Sequence, residues 1–382
     1  MKIALVSPYD WTVSGGVNSH CARLREQFLA RDHQVRIVAP SSSPVEEDDV
    51  ITIGKRPLSV PASGSLARIS LSLTLAPPVR RVLAEEQFDV VHVHAPFMPM
   101  LPIHFLRYAE AVKVGTFHAS REKAQFFYSW GRRHLRRWFR QLDGKIAVSS
   151  AASGFVEQYF PGYYNIIPNG VDIERFSAEA PPLPEYQDGK QNILFVGRPE
   201  KRKGLDTLIR AYERVKAQRP DTRLIVVGAG KFDRYQRDVR ARRLADVVFN
   251  SYVSYEELPR YHQTADVFCA PATGFESQGI VILEAMAAGL PIVASNIEGY
   301  AGVLTHDVQG LLVLPGDDAG LADALLQLLG DAGRRRRMAA QGRRRAQEFS
   351  WQRVSQQILS YYERLLHERG LADVAREPAQ VG

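Results

Sequence analysis

Cysteine is scarce: Cys21 and Cys269 are the only two in 382 residues. They stand too far apart in sequence to form a disulfide framework or a paired metal-ligand motif. No apolar run reaches the roughly 20 residues needed to span a bilayer. The longest candidate, Gly279 to Ala294, is interrupted by Glu284. The opening "MKIALVSPYD" has one basic residue and a short apolar run, which reads as a strand and not as a signal peptide. No Asp-rich metal motif occurs, and no repeat of solenoid length. These absences point to a cytoplasmic globular chain with no metal requirement. What is present is a 45% hydrophobic composition, enough for ordinary cores, and a net charge of +7. That charge favours an anionic partner.

Short β-branched runs alternate with helix-patterned segments along the whole chain. "KIALVS", "QVRIVA", "DVVHVH", "VKVGTFH", "GKIAVSS" and "YNIIP" occupy the first half. "QNILFVG", "TRLIVVG", "VVFNSYV", "ADVFCAP", "LPIVAS" and "GLLVLPG" occupy the second. Continuous apolar strands separated by helices predict parallel sheets covered on both faces. Two such series predict an α/β chain of two doubly wound domains, with ligands beyond the carboxyl ends of the strands. The first domain is placed at residues 1–176 and the second at 192–350, joined by the proline-rich, polar linker 177–191. Residues 351–372 carry the apolar spacing of an amphipathic helix, and 373–382 read as a flexible tail.

The loops after strands hold the chemistry. "SPYDWTVSGGVNSH" puts Gly15 and Gly16 before a helix, where a backbone without Cβ atoms lets a phosphate approach the N–H groups. A plain tight turn is the other reading of that pair. His118 ends the strand of "TFHAS", either to bond a sugar hydroxyl or to sit satisfied in the core. "FVGRPEKRKGLDTL" gathers Arg198, Lys201, Arg202 and Lys203 before a helix, a setting for polyanionic oxygens. Arg198 and Lys203 are the choices there.

"GFESQGIVILEAMAAGLPIVAS" carries Glu276 and Glu284 eight residues apart in an apolar stretch. On one helix they would stand about 12 Å apart, beyond the roughly 5–9.5 Å of a hydrolytic carboxylate pair. They suit the two ends of a longer ligand, with N–H groups from Ser277, Gln278, Gly279 and Ile280 for phosphate between them. A carboxylate is a pure acceptor, so Glu284 fits a ribose diol.

In this order and spacing, "GGV", "TFH", "IPNGVD", "VGR" followed by "KG", and the two-glutamate stretch resemble the retaining, nucleotide-sugar-dependent glycosyltransferases of family 4. The likeness covers nearly the whole chain. It implies the GT-B fold: two Rossmann-like domains facing across a cleft, with the C-terminal helix returning to the first. It further implies that Gly16 approaches the donor, His118 contacts the transferred sugar, Arg198 and Lys203 neutralise the diphosphate, Glu276 holds sugar hydroxyls and Glu284 the ribose. Gln278 departs from the family, where many members carry an aromatic. "SPYDWTVSGGVNSH", "SGSLARI", "FDVVHVHAPFMP" and "TFHAS" are similar to the bacterial phosphatidylinositol mannosyltransferases. That likeness implies GDP-mannose as donor and an inositol phospholipid as acceptor, with Tyr9, Ser65 and Arg68 on the acceptor side.

"GRRHLRRWFRQ" agrees with a lipid acceptor. At 100° per residue Arg132, Arg133, Arg136, Arg137 and Arg140 fall on an arc of about 140°, with Leu135, Trp138 and Phe139 on the rest. Arginines opposite Trp and Phe are the pattern of an interfacial membrane helix. A helix packing its apolar arc on its own sheet gives the same pattern. Aromatic bulk at Phe126, Phe127, Tyr128 and Trp130 lies upstream, and Arg80 and Arg81 follow Pro77 and Pro78 at a helix start. The run from Gly333 to Arg345 reads as a solvated basic surface. Three readings stay open: this lipid mannosyltransferase, a relative using a UDP- or ADP-sugar on another acceptor, and a non-catalytic nucleotide-sugar-binding protein. Binding to nucleic acid rests on charge alone and has no module behind it.

Overall fold

A computed structural model describes the chain except Ser14, Arg56, residues 63–64, Leu73, 119–123, 178–179 and 377–382. For Lys55, 60–62, 65–67, 124–130 and 371–376 only the backbone is described. The chain forms two compact units, Met1–Asn169 with Trp351–Gly382, and Gly170–Ser350.

The N-terminal unit contains β1 (Lys2–Val6), α1 (Gly16–Leu29), β2 (Gln34–Ser41), β3 (Val50–Lys55), β4 (Leu58–Ala62), β5 (Ser65–Ile69) and α2 (Ala76–Glu86). It continues with β6 (Val90–His94), α3 (Leu101–Tyr108), β7 (Val112–Phe117), α4 (Ala124–Phe139), β8 (Gly144–Ala147), α5 (Ser150–Glu157) and β9 (Asn165–Ile166). Seven strands make a parallel sheet in the order β3-β2-β1-β6-β7-β8-β9. All five residues of β6 are buried, as a strand covered on both faces requires. The antiparallel hairpin β4–β5 stands apart from this sheet and is tied to the loop after β1 by a bridge between Tyr9 and Ile69.

The second unit contains α6 (Ile173–Ser177), β10 (Gln191–Val196), α7 (Leu205–Gln218), β11 (Thr222–Val227), α8 (Asp233–Ala241), β12 (Val247–Asn250) and α9 (Leu258–Thr264). Then come β13 (Val267–Ala270), α10 (Ile280–Ala288), β14 (Ile292–Ser295), α11 (Glu298–Ala301), β15 (Gly310–Val313), α12 (Asp318–Gly330) and α13 (Ala332–Gln347). Its six parallel strands run β12-β11-β10-β13-β14-β15. Strand order reverses at β1/β6 in one sheet and at β10/β13 in the other. A doubly wound sheet opens its ligand crevice at such points, beyond the carboxyl ends of the strands.

The last helix, α14 (Trp351–Arg376), packs on the N-terminal unit. Trp351, Val354, Ile358, Tyr362 and Leu365 share a core with Ile3, Leu5, Leu24 and Phe28. The helix runs four residues beyond the expected end at 372, and 377–382 lie outside the described residues.

The division between units falls at Asn169/Gly170, not at 176. Ile173 and Phe176 are buried in the core of the second unit with Leu283 and Met286, and that burial draws α6 into it. The expected linker also belongs to this unit. Leu183 N–H donates to Thr264 Oγ1 at 2.8 Å, and Arg260 Nε donates to the Pro181 carbonyl at 3.1 Å. Polar, proline-rich composition here marks a surface segment that is nonetheless anchored.

Candidate active site

The loops after β10 and β13 meet at the switch point of the second sheet. The first turns through a 3₁₀ segment, Lys201–Lys203, into Gly204, which caps α7 in the left-handed region at φ 73°. A Cβ there would stand 1.8 Å from the Pro271 carbonyl oxygen, so the two loops touch backbone to backbone only because Gly204 has no side chain. Thr273 N–H donates to the Arg202 carbonyl at 2.8 Å and joins them further.

Glu276 is the anchor of this junction. Lys203 Nζ donates to its Oε1 at 2.8 Å, and Arg202 Nη1 donates to the same oxygen. Arg202 Nη1 also reaches the Phe275 carbonyl at 3.3 Å, and its Nε donates to Glu200 at 2.7 Å. Glu200 in turn pairs with Arg198 at 2.8 Å. The order is therefore Arg198, Glu200, Arg202, Glu276, Lys203. Arg198, expected with Lys203 to hold polyanionic oxygens, stands off this junction: its side chain is 53% exposed and pairs with Glu200. Arg202 ties the loops instead and was missing from the chosen site residues. Its neighbours Lys201 and Lys203 gave three adjacent cations, and only the 3₁₀ turn decides which face the carboxylate. Phe275, directly before Glu276, holds φ 61°. An aromatic residue in that region carries backbone strain of order 1 kcal/mol, the kind that collects at functional loops.

Glu276 and Glu284 do not share a helix. Helix α10 begins at Ile280, so Glu276, Ser277 and Gln278 belong to the loop and the 12 Å helical spacing does not apply. Gly279 caps α10 at φ 80°, where a Cβ would press on the Tyr300 ring at 2.5 Å. The start of α10 still offers N–H groups, beside a half-exposed Ser277 and an exposed Ile280. Gln278 is buried.

Glu284 lies in the second turn of α10, buried among Ile282, Leu283, Ala285 and Met286. Among the described residues its carboxylate has no hydrogen-bond or ion-pair partner. Burial pushes its pKa up to about 8, against the opposing pull of Lys203. No protein group there satisfies the carboxylate. It is also not sealed off, since neither oxygen is among the fully enclosed unpartnered atoms. The arrangement suits a ligand that brings donors.

In the N-terminal unit, Gly15 caps α1 in extended backbone, and a Cβ built on Gly15 or Gly16 would meet no atom within 4 Å. Neither packing nor backbone angle demands glycine there. Asp10 and Asn18 shape the preceding loop: Asn18 Nδ2 donates to the Asp10 carbonyl at 2.8 Å and Ser7 Oγ donates to Asn18 at 2.7 Å. His118 follows β7 and belongs to a group of four histidines with His20, His92 and His94. Burial holds His118 well below the usual imidazole range, so it is neutral near pH 7. Sequence reading singled out His118 alone, although "DVVHVH" supplied the other two strand histidines. Residues Ala119 and Ser120 of "TFHAS" lie outside the described residues.

The acceptor and membrane candidates divide. Arg68 Nη1 lies 3.8 Å from the buried Asp10 carboxylate, and its carbonyl accepts from Asp10 N–H at 2.9 Å. Burial raises the Tyr9 pKa to about 12. Ser65 opens β5, and its side chain is outside the description. Arg80 stacks on the Tyr108 ring at 4.3 Å, and Arg81 is exposed. On α4, Arg132, Arg133, Arg136 and Arg137 are exposed. Trp138 is not: it is 7% exposed and packs with Leu135, Phe105 and Phe160 in the core. Leu135 and Trp138 of α4 serve its own unit's core, and among its described residues the arginines and His134 face out. The side chains of Phe126, Phe127, Tyr128 and Trp130 lie outside the description. No helix among the described residues is long and apolar enough to cross a membrane.

Two Rossmann-like units, with cationic and acidic loops at a strand-order switch, define the GT-B architecture of nucleotide-sugar enzymes. The family of glycosyl transferases group 1 matches residues 176–345, and Glycosyltransferase Family 4 matches 14–175. The chain belongs to glycosyltransferase family 4 and is a glycosyltransferase. It is 38% identical to the phosphatidyl-myo-inositol mannosyltransferase of Mycobacterium leprae, over 95% of this chain and 96% of that one. Identity to the protein of the same name from Mycolicibacterium smegmatis is 36%, over 95% and 94%. Among solved structures, sucrose-phosphate synthase from Thermosynechococcus elongatus superposes with a TM-score of 0.78 at 22% identity, over 96% of this chain and 99% of that one.

Proposed function

We propose that the protein transfers mannose from GDP-mannose to phosphatidylinositol or a related inositol phospholipid, with retention at the anomeric carbon and without a metal ion. The observation that carries the donor half is Glu284: a buried carboxyl group without a protein partner, on the helix that follows the Glu276, Arg202 and Lys203 junction. A ribose diol satisfies it. Sugar hydroxyls go to Glu276, and the diphosphate goes to Lys203, Arg198 and the start of α10. Charge developing on the leaving diphosphate is offset by those cations and N–H groups. The acceptor hydroxyl then attacks from the face the diphosphate leaves, the bond from the anomeric carbon to the diphosphate breaking as the new one forms and the hydroxyl proton passing to the departing diphosphate oxygen. His118 is assigned to the transferred sugar, and the backbone at Gly15 and Gly16 to close approach of the donor.

The relatives named as phosphatidyl-myo-inositol mannosyltransferases support the sugar and the acceptor. Exposed arginines on α4, with Arg81 on α2, support reversible contact with the anionic inner face of the cell membrane. The test is thermal stabilisation of the purified protein by GDP, UDP and ADP and their common sugars, with Glu284→Ala as control. Selective stabilisation by GDP and GDP-mannose, lost in the variant, is expected. Selectivity for UDP or ADP sugars would discard the mannose and lipid assignment and leave the family intact. Full turnover in chelator is expected; loss restored only by added metal would reject the metal-free route.

A further inference from the structure

The four histidines of the N-terminal unit hold one hydrogen bond whose direction decides what His118 can offer. His94 ends β6 and His118 follows β7, its parallel neighbour, in a register that pairs His94 with Thr116. Nδ1 of His94 and Nε2 of His118 are 3.0 Å apart. Both rings are neutral, held there by burial. One of the two nitrogens must therefore carry the proton and the other accept it.

There are two ways to place the protons. If His118 donates from Nε2, His94 carries its own proton on Nε2. That nitrogen is fully buried and has no hydrogen-bond partner. A buried N–H left without an acceptor loses its hydrogen bond to water and gains none, and such donors are rarer in folded proteins than under-used acceptors. If His94 donates from Nδ1, its Nε2 is a bare lone pair, the commoner kind of orphan. The proton of His118 then lies on Nδ1. Among the described residues that nitrogen has no partner, and it is not one of the sealed, unpartnered atoms.

We infer that His94 is a positioning residue that donates from Nδ1 to Nε2 of His118, so that His118 presents an N–H donor at Nδ1 to its ligand. His94 is itself held from behind. The His92 ring lies 4.2 Å from it, and His92 is pinned by Thr116 Oγ1 at 2.6 Å and by Tyr362 Oη of α14 at 2.5 Å. The C-terminal helix thus supports the orientation of His118 through two intervening rings. The consequence for chemistry is definite. His118 donates to an oxygen of a hydroxylated ligand, and it has no lone pair facing that ligand with which to act as a general base. Naming that ligand as the transferred sugar rests on the proposed function; the direction of the hydrogen bond does not.

The test is a two-bond proton–nitrogen correlation spectrum of protein labelled with ¹⁵N-histidine, with the His118 signals assigned by their loss in His118→Gln. Protonated Nδ1 on His118 and on His94 is the expected pattern; protonated Nε2 on His118 overturns the proposal without touching the assigned activity. Two variants extend it to turnover. In His94→Asn the amide can donate in place of Nδ1, and the His118 tautomer should persist. In His94→Asp the carboxylate only accepts, and His118 should switch to Nε2–H, with kcat at least tenfold below His94→Asn and a similar KM for the donor. Equal kcat in the two folded variants, despite opposite tautomers, would show that the N–H plays no part. Should His94→Asp fail to fold, the spectrum of the unaltered protein decides alone.

Discussion

Glu284→Gln should make the second unit more stable than the parent at high pH, and by an amount that follows from burial. The native carboxyl titrates at about 8 against an ordinary 4.5. Between those values the native protein holds a proton that the unfolded chain has released. The sign is then fixed: the native state loses up to about 1.4 kcal/mol per pH unit as pH rises, and the loss is complete above pH 8. From pH 5.5 to 7.5 the integrated loss is about 2–3 kcal/mol. Glutamine has no such titration. For a unit of this size each kcal/mol moves the midpoint about 2–4 °C, so the gap between variant and parent should widen by about 5–10 °C over that interval. Scanning calorimetry of both proteins at the two pH values reads it. Binding adds a second sign. A ligand whose vicinal hydroxyls donate to Glu284 selects the ionised form, so binding should release a proton. Donor affinity should rise about tenfold per unit between pH 6 and 8. Titration calorimetry in buffers of different ionisation enthalpy counts that proton, and Glu284→Gln subtracts the titration of the nucleotide itself. A pH-independent gap in midpoint, with no difference in proton release between the two proteins, would refute both the burial argument and the diol assignment.

Gly204→Ala meets the Pro271 carbonyl and an unfavourable φ. It should lower stability by more than about 2 kcal/mol in a thermal scan. Gly15→Ala meets nothing, so its midpoint should stay within about 1 °C while donor affinity falls; an equal drop in both midpoints would contradict the contrast. Trp138→Ala should cost about 3–5 kcal/mol in urea unfolding, as a core truncation does. Replacing Arg132, Arg133 and Arg136 by Ser should leave stability nearly unchanged and weaken binding to anionic vesicles by about 100-fold, at about 1 kcal/mol per arginine. Unchanged flotation of that variant would remove α4 from the membrane surface. Lys203→Met leaves Glu276 with Arg202 alone and removes the one cation drawing the Glu284 pKa down. The Glu284 titration should therefore move upward and kcat fall at saturating donor, read by the pH dependence of the midpoint and by initial rates.

All twelve strands expected from apolar runs are present, and most are buried on both faces, so that composition alone announces them; the edge strands β9 and β12 are found by their apolar runs although they are only partly buried. The strands that escaped lack such runs. Strand β3 is an edge strand that follows the acidic stretch "EEDD", and the β4–β5 hairpin is paired only with itself, so neither carries a continuous apolar run. The same distinction governs the site. Glu284 was legible because a charge in an apolar helix is costly wherever the helix goes. Arg202 was not, because the choice among Arg198, Lys201, Arg202 and Lys203 is made by a 3₁₀ turn that pitches Arg202 and Lys203 onto Glu276 and leaves Arg198 on Glu200. Trp138 failed for a third reason. A basic helix with an apolar arc has one pattern whether that arc meets lipid or protein, and only the burial of Trp138 in one core with Leu135, Phe105 and Phe160 separates the two. Composition identifies groups whose burial is expensive; it does not identify which neighbour relieves the expense. Glu276 is relieved by two cations of its own chain, and Glu284 by none among the described residues. That difference, invisible in the spacing of two glutamates, is why the proposed donor site is best tested at the second carboxyl group.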